Sequence, residues 1–405
     1  MSTMLGILSG MKVVEGSAFI AAPLGGMTLA QLGADVIRFD PIGGGLDYHR
    51  WPITKEGRSL FWAGMNKGKR SIQIDIRHPE AQELLQTLIA RPGPDAGLFL
   101  TNFPARGWLS YENLKSHRDD LVYINVLGDR QGGSAVDYTV NCAVGFANAT
   151  GAEDESSPTN HLLPAWDNIT GQMAATALLA ADRYRRLSGH GQLVEIALKD
   201  VALATAGHLG NIAEVMINDV DRARSGNYLY GAFGKDFVTQ DGKRYMLVGL
   251  TGRQWRSIVE ATSTSAAIEE LRIQDGISLD EEGSRFVHRA LIERLIAPWF
   301  ASRKSTEVVA ALTKTGVCFG PYRSFKEMVQ EDPDCSTQNP LFERVSQPGI
   351  GDYLAPSSPI RFSDASNLGS LTAPVLGQHT EEILAEDLGL SVTHIGRLYD
   401  AKIVA

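Results

Sequence analysis

Cysteine is scarce in this chain: three in 405 residues, Cys142, Cys318 and Cys335. An odd set with no CxxC pair excludes a disulfide framework and a cysteine-ligated zinc site. Each cysteine is expected to be a small buried apolar residue. The nine histidines are scattered, with no His-x-x-x-His spacing, so no metal is expected. Positive charge is also short. With 38 basic against 47 acidic residues the formal charge is −9. That argues against nucleic acid or an anionic membrane as the main partner, and leaves room for a local basic pocket. No apolar run reaches the roughly 18 residues of a membrane span. Residues 1–12 show no basic patch leading into an apolar core, so a cytoplasmic location is the expectation.

The glycine signatures of common cofactor sites are missing too. The segment from Glu15 to Gly25 opens a strand–helix–strand unit ending in Asp40, where an acidic residue can bind a ribose hydroxyl. It lacks G-x-G-x-x-G, and Pro23 sits where helix N–H groups would meet a pyrophosphate. Gly43 to Gly45 is followed by no Lys-Ser/Thr, so it reads as a flexible loop. No serine sits in a G-x-S-x-G elbow.

What is present is an α/β pattern. A length of 405 residues sets two domains as the default. A hydrophobic share of 43% and a charged share of 21% place the chain among soluble globular proteins. Strand-like segments at 12–16, 33–39, 71–76, 96–100 and 121–127 alternate with helix-like segments at 23–32 and 79–90. A long Ala-rich helix is expected over 170–186, a strand over 192–196 and one helix over 200–218. This alternation predicts a largely parallel sheet. From about 228 the pattern shifts to short strands, a turn at Asp241-Gly242, and helices between 252 and 315. That is read as a second, smaller domain over 225–325.

Asp167 is the residue of greatest interest. It stands where a loop becomes the Ala-rich helix. It is either an N-cap, accepting from backbone N–H groups two or three residues on, or a nucleophile held at the positive end of a helix. His161 lies six residues earlier, as a pocket residue or an ordinary loop histidine. The basic cluster from Lys67 to Arg70 and the arginines Arg38, Arg77 and Arg106 fall at or near element ends. They are solvated surface charges or contacts for an anionic nucleotide such as coenzyme A.

Several segments, taken together and in order, are similar to a known pattern. They are Ala22 to Asp40, Asn66 to Ile76, Thr101 to Phe103, Trp166 to Gly171 with Leu178 to Arg183 and Ser188 to Gln192, and Ala373 to Leu384. The chain resembles the class III CoA-transferases, the CaiB/BaiF family. The resemblance implies a Rossmann-like large domain (1–200 plus 340–405) and a smaller α+β domain (225–325). Linkers would span 201–224 and 326–339, and two chains would form an interlocked homodimer. It implies Asp167 as the nucleophile and CoA as part of the substrate, with no permanently bound cofactor. Implied CoA contacts are Phe19, Ile20, Ile74, Arg77, Asn102, Phe103, Arg106 and Asp137, with Arg38 a further candidate. The family's racemases carry a His-Asp pair where this chain has Val136-Asp137. A racemase needs a base on each side of the α-carbon, so α-proton exchange is not expected.

The likeness extends through Glu15 to Phe19, Phe39 to Tyr48, Asn102 to Ser110 and Gly226 to Gly234. There it implies CoA transfer between the two carboxyls of one C5 diacid, mesaconate. Transfer from one C4 or C5 diacid to another is the alternative. Oxyanion donors are expected at the start of the helix after Asp167. Arg50, His161, Tyr228 and Tyr230 are the candidates for holding the spare carboxylate.

Overall fold

The computed structural model describes residues 6–405; the first five, part of both the expected large domain and the segment read for a secretory signal, lie outside it. The chain divides into two compact units. One comprises 6–144, 161–213 and 333–405, and the other 145–160 and 214–332.

In the first unit the order is β1 (Lys12–Gly16), α1 (Ala21–Gln31), β2 (Asp35–Asp40), α2 (Leu60–Met65), β3 (Arg70–Gln73) and α3 (Pro79–Ile89). Then come β4 (Leu98–Thr101), α4 (Tyr111–His117), β5 (Val122–Leu127) and α5 (Asp137–Ala143). A short helix, α6 (Phe146–Ala149), belongs to the second unit. The first unit resumes with α7 (Ala165–Ser188), β6 (Gln192–Ala197) and α8 (Leu198–His208). The six strands form one sheet in the order β3-β2-β1-β4-β5-β6, and every pairing is parallel. This is the expected Rossmann-like α/β architecture. Strand order reverses between β1 and β4, and in such sheets a ligand binds outside the carboxyl ends of the strands at that point.

The central strands β4 and β5 read as near-continuous apolar runs because both of their faces are covered. Successive residues face opposite layers. Phe99 packs with Leu85, Leu88, Leu114 and Tyr123 in one core, whereas Leu100 approaches α1 near Gly25. The C-terminal segment completes the Phe99 layer: Ile383, Leu384, Ile395, Leu398, Ile403 and Val404 join that core. Each fully buried Leu or Ile there is worth about 1.5–3 kcal/mol relative to exposure.

On the other face α1 and α7 pack at close range through small residues. A Cβ added at Gly171 would lie 2.8 Å from the Ala21 carbonyl oxygen and 2.9 Å from Leu24 Cβ. Gly171→Ala is therefore expected to destabilise the protein by about 1–3 kcal/mol, as overpacking does. A denaturation midpoint unchanged from wild type would show that the two helices have room to part.

The helix carrying Asp167 starts at Ala165, five residues before the expected start. The single helix expected over 200–218 is two: α8 ends at His208 and α9 (Asn211–Asn218) follows. Gly210, at φ +80°, turns the chain between them.

In the second unit β7 (Phe233–Val238), β8 (Arg244–Gly249) and β9 (Cys318–Pro321) form an antiparallel sheet. Between β8 and β9 come α10 (Gly252–Thr262), α11 (Ser265–Gln274), α12 (Glu282–Val287), α13 (Arg289–Ala301) and α14 (Ser305–Thr315). Its core gathers Phe233, Phe237, Trp255, Ile296 and Phe300, with Phe237 stacked on Phe300 at 4.9 Å. The segment 145–160 lies in this unit, a placement the strand–helix pattern does not signal. Arg224 donates to the carbonyls of Asn148 and Glu155, and Gly226 N–H donates to Gly151.

The cysteines depart from expectation. Cys142 and Cys318 are exposed and Cys335 is half-buried. Cys142 falls on the outward face of α5, and Cys318 on the edge strand β9.

Candidate active site

The carboxyl ends of β1, β4, β5 and β6 surround a cavity of about 440 Å³ in the first unit. Phe19, Ile20 and Ala21 reach it from the loop after β1, Asn102 from the end of β4, and Val126 to Gly128 from the end of β5. Leu198 enters after β6, and Arg50, Val136, Asp137, Tyr138 and Asp167 complete the wall. The cavity thus sits at the switch point of the sheet.

Asp167 is the third residue of α7, with Pro164 in the N-cap position and no local side-chain cap. The N-cap reading of Asp167 is thereby overturned. The cap comes from elsewhere in sequence. Asp137 Oδ2 accepts from Trp166 N–H at 2.7 Å and Asp167 N–H at 3.0 Å. Asp137 Oδ1 lies 2.6 Å from His161 Nε2. Burial, then the neighbouring Asp137, push the Asp167 carboxyl up to about 7, and Arg50 opposes them. A half-buried carboxyl beside a second one, in a cavity wall, is a candidate functional position.

The loop from Ser17 to Ile20 is held from two sides. Asn102 Oδ1 accepts from Ala18 N–H at 2.9 Å, and its Nδ2 donates to the Ala18 carbonyl at 2.7 Å. Arg38 donates to the Ser17 carbonyl at 3.0 Å. Between these anchors Phe19 adopts φ +67°. For a residue with a Cβ that conformation costs on the order of 1–3 kcal/mol and needs such support. The Phe19 ring lies beneath the Arg50 guanidinium at 5.3 Å, and Phe61 lies 5.2 Å from the same guanidinium. On the same wall α1 begins without a side-chain cap.

The structure brings Phe19, Ile20, Arg50, Asn102, Asp137 and Asp167 together around the cavity. Other candidates lie elsewhere. Arg38 is 1% exposed and commits its guanidinium to Asp40, Asp47, Asn66 and Ser17, so it is a core ion-pair residue and no CoA contact. The same ion pair occupies Asp40, which leaves no ribose-binding carboxylate at the end of β2. Ile74 is fully buried in the core beside the C-terminal Val404, which corrects its expected contact with CoA. Asp137 is 1% exposed and its carboxylate serves α7 and His161, so a contact with CoA through those oxygens is likewise corrected. Asn102 spends its amide on Ala18. His161 is absent from the cavity wall, and Asp137 takes its Nε2.

Arg77 and Arg106 are exposed, and Phe103 packs edge-on against Phe39 at 6.0 Å. Tyr228 and Tyr230 belong to the second unit, where their hydroxyls meet Glu293 and Glu214. Oxyanion donors were expected at the start of α7. There the Trp166 and Asp167 N–H groups are already taken by Asp137.

Sequence reasoning missed Phe61, Val126 to Gly128, Tyr138 and Leu198. The signal was present in part, because Val126 and Leu127 close β5 and Gly128 and Leu198 directly follow β5 and β6, where ligand-facing residues of a parallel sheet gather.

A carboxyl held beside a cavity at the switch point of a parallel sheet is equipped for covalent acyl chemistry. Residues 8–380 match the model of CoA-transferase family III. The chain belongs to that family and is an enzyme of CoA transfer. It is 61% identical over 403 residues to the 2-methylfumaryl-CoA isomerase of Chloroflexus aurantiacus, covering 99% of this chain and 98% of the relative. It is 28% identical to the succinyl-CoA–D-citramalate CoA-transferase of the same organism, covering 98% of each. A crystal structure of a CaiB/BaiF family protein from Brucella suis superposes with a TM-score of 0.77 at 26% identity, over 95% of this chain and all of that one.

Among the described residues no helix is long and apolar enough to cross a membrane, and no group of three or more His, Cys, Asp or Glu side chains could hold a metal.

Proposed function

We propose that this enzyme moves CoA within one diacid, converting mesaconyl-1-CoA (2-methylfumaryl-CoA) into mesaconyl-4-CoA. The observation that carries the reading is the placement of Asp167 and Arg50 in the wall of one cavity. One supplies a nucleophile and the other a cation for the carboxylate that is not reacting. The 61% identity to an isomerase over nearly the whole chain favours an intramolecular route.

In this reading the Asp167 carboxylate attacks the thioester carbonyl and expels CoA thiolate, leaving a mixed anhydride. The thiolate attacks the aspartyl carbonyl. Aspartyl-CoA forms and mesaconate leaves as a carboxylate. The diacid turns, and its other carboxylate attacks aspartyl-CoA, again expelling thiolate. The thiolate then attacks the new acyl carbon, giving mesaconyl-4-CoA and restoring Asp167. Covalent catalysis divides one difficult exchange into easier steps. Water must be kept out while the anhydride exists.

Mesaconyl-1-CoA incubated with isotopically labelled free mesaconate tests this. The expected product is the 4-isomer without label. Label in the thioester would instead make the enzyme an intermolecular transferase between diacids.

The enzyme is further proposed to act in the cytoplasm, with no permanently bound cofactor, as an interlocked homodimer. The dimer is supported by α9, which buries none of its residues although Ile212, Val215, Met216 and Ile217 are apolar. Light scattering is expected to give twice the mass of one chain, and the mass of a single chain would exclude the dimer.

A further inference from the structure

The cap on α7 is an unusual choice. A helix that lacks an N-cap side chain is served well enough by Ser, Thr or Asn at the cap position itself. Here position 164 is proline, and the cap is a carboxylate 30 residues earlier in sequence, at the start of α5. Asp137 stands in the wall of the same cavity as the nucleophile, with its carboxylate turned to α7 and His161. Capping alone does not require a second negative charge beside Asp167, where it opposes ionisation of the very group that must attack.

Asp137 is fixed from three directions. It accepts two N–H bonds from α7 on one oxygen, and the other oxygen faces His161. A second tie joins α5 to α7, where Trp166 Nε1 donates to Asn141 Oδ1 at 3.2 Å. Tyr138 stands edge-on to the imidazole at 5.9 Å, and Trp166 tilts against it at 6.4 Å. The charged groups facing Asp167 are Asp137 on α5 and Arg50 on the loop after β2, with His161 acting behind Asp137.

We infer that Asp137 and His161 form a positioning pair that sets the basicity of Asp167 as well as its place. Asp137 holds the first turn of α7 and makes the neighbouring carboxyl harder to ionise. The resulting carboxylate is more basic, and hence a stronger nucleophile toward a thioester. His161 draws charge of Asp137 toward its own ring and limits the effect. Neither residue bonds to the reacting atoms, so both are positioning residues. The inference rests on Asp167 being the nucleophile of the proposed reaction.

Two readouts test it on the full-length enzyme. The first is kcat/KM for mesaconyl-1-CoA against pH. Attack needs Asp167 ionised, so the wild-type acid limb is expected near pH 7, the value to which burial and Asp137 push this carboxyl. In Asp137→Asn the amide oxygen still accepts from the α7 N–H groups, but the like charge is gone. The limb is expected to move down by about one pH unit. In His161→Phe it is expected to move up, and His161→Gln, which retains a donor, is expected to restore it. The position of a limb does not depend on the fraction of active protein, so partly folded variants still answer the question.

The second readout is the pH midpoint of carbodiimide labelling at Asp167, read by peptide mass spectrometry, which needs no turnover. Limbs and midpoints unmoved in Asp137→Asn would overturn the inference and leave the pair a structural cap. A labelling midpoint that moves in an enzyme that does not isomerise the thioester would sustain the pair and sink the proposed reaction. An unmoved limb in His161→Phe would remove the histidine from the device.

Discussion

Asp167→Ala is expected to lower CoA transfer by roughly 10⁴-fold or more while leaving the fold intact. Losses of that size follow removal of a nucleophile, because the remaining groups stabilise a transition state that can no longer form. The fold is spared because Asp167 gives α7 only its backbone: the N–H that Asp137 accepts is present in every residue type except proline. Alanine also suits the first turn of a helix. Chromatographic separation of the two thioester isomers checks the rate, and circular dichroism checks the fold. Turnover within tenfold of wild type in a folded variant would show that some other group accepts CoA. The Ala variant is the cleaner test, because asparagine at this position can deamidate and return activity slowly.

The same residue is expected to cost the protein stability. Burial pushes the Asp167 carboxyl from 3.8 up to about 7 in the folded chain. Between those two pH values the folded chain retains a proton that the unfolded chain has lost. Stability from this group therefore falls as pH rises through that window, and the full penalty applies above about pH 7. Its ceiling is about 4 kcal/mol. Asp167→Asn removes the charge and keeps the shape. A freshly prepared Asn variant is expected to be more stable than wild type by a few kcal/mol at pH 8. The difference should shrink to below about 1 kcal/mol near pH 4, where wild-type Asp167 is protonated in the folded chain and about half protonated in the unfolded one. Denaturant midpoints at the two pH values check this. An Asn variant no more stable at pH 8 would mean that Arg50 offsets the burial of Asp167 more fully than the structure indicates. Stability given up at a catalytic group is a common exchange.

The two predictions turn on one fact, that Asp167 sits in a cavity built by other segments of chain. How much of that was legible in the sequence differs from residue to residue. The strands were legible because a parallel sheet covered on both faces needs runs such as Val122 to Leu127, and such runs stand out from the helical spacing around them. Asp167 was legible as a candidate because an acidic residue before an Ala-rich run has few roles. Its role as first-turn residue and not cap was not legible, since the deciding partner, Asp137, lies 30 residues away. Arg38, Arg77 and Arg106 looked alike in sequence. In the structure Arg38 is a buried ion-pair partner and the other two are exposed. The difference lies in which strand end meets which acidic neighbour.

The sequence by itself determined the local and periodic features: alternating strands and helices, a two-part chain, no metal-ligand spacing, and a carboxylate at the head of a long helix. These follow from burial patterns and backbone preferences that act over a few residues. The tertiary structure alone decided which ends of the sheet converge. It set Asn102 against Ala18, raised the basicity of Asp167 by burying it beside Asp137 while Arg50 opposes the shift, and gave His161 a carboxylate partner. Those outcomes depend on side chains brought together across long stretches of chain. Electrostatic and packing energies there vary with distance and dielectric, which no local pattern encodes.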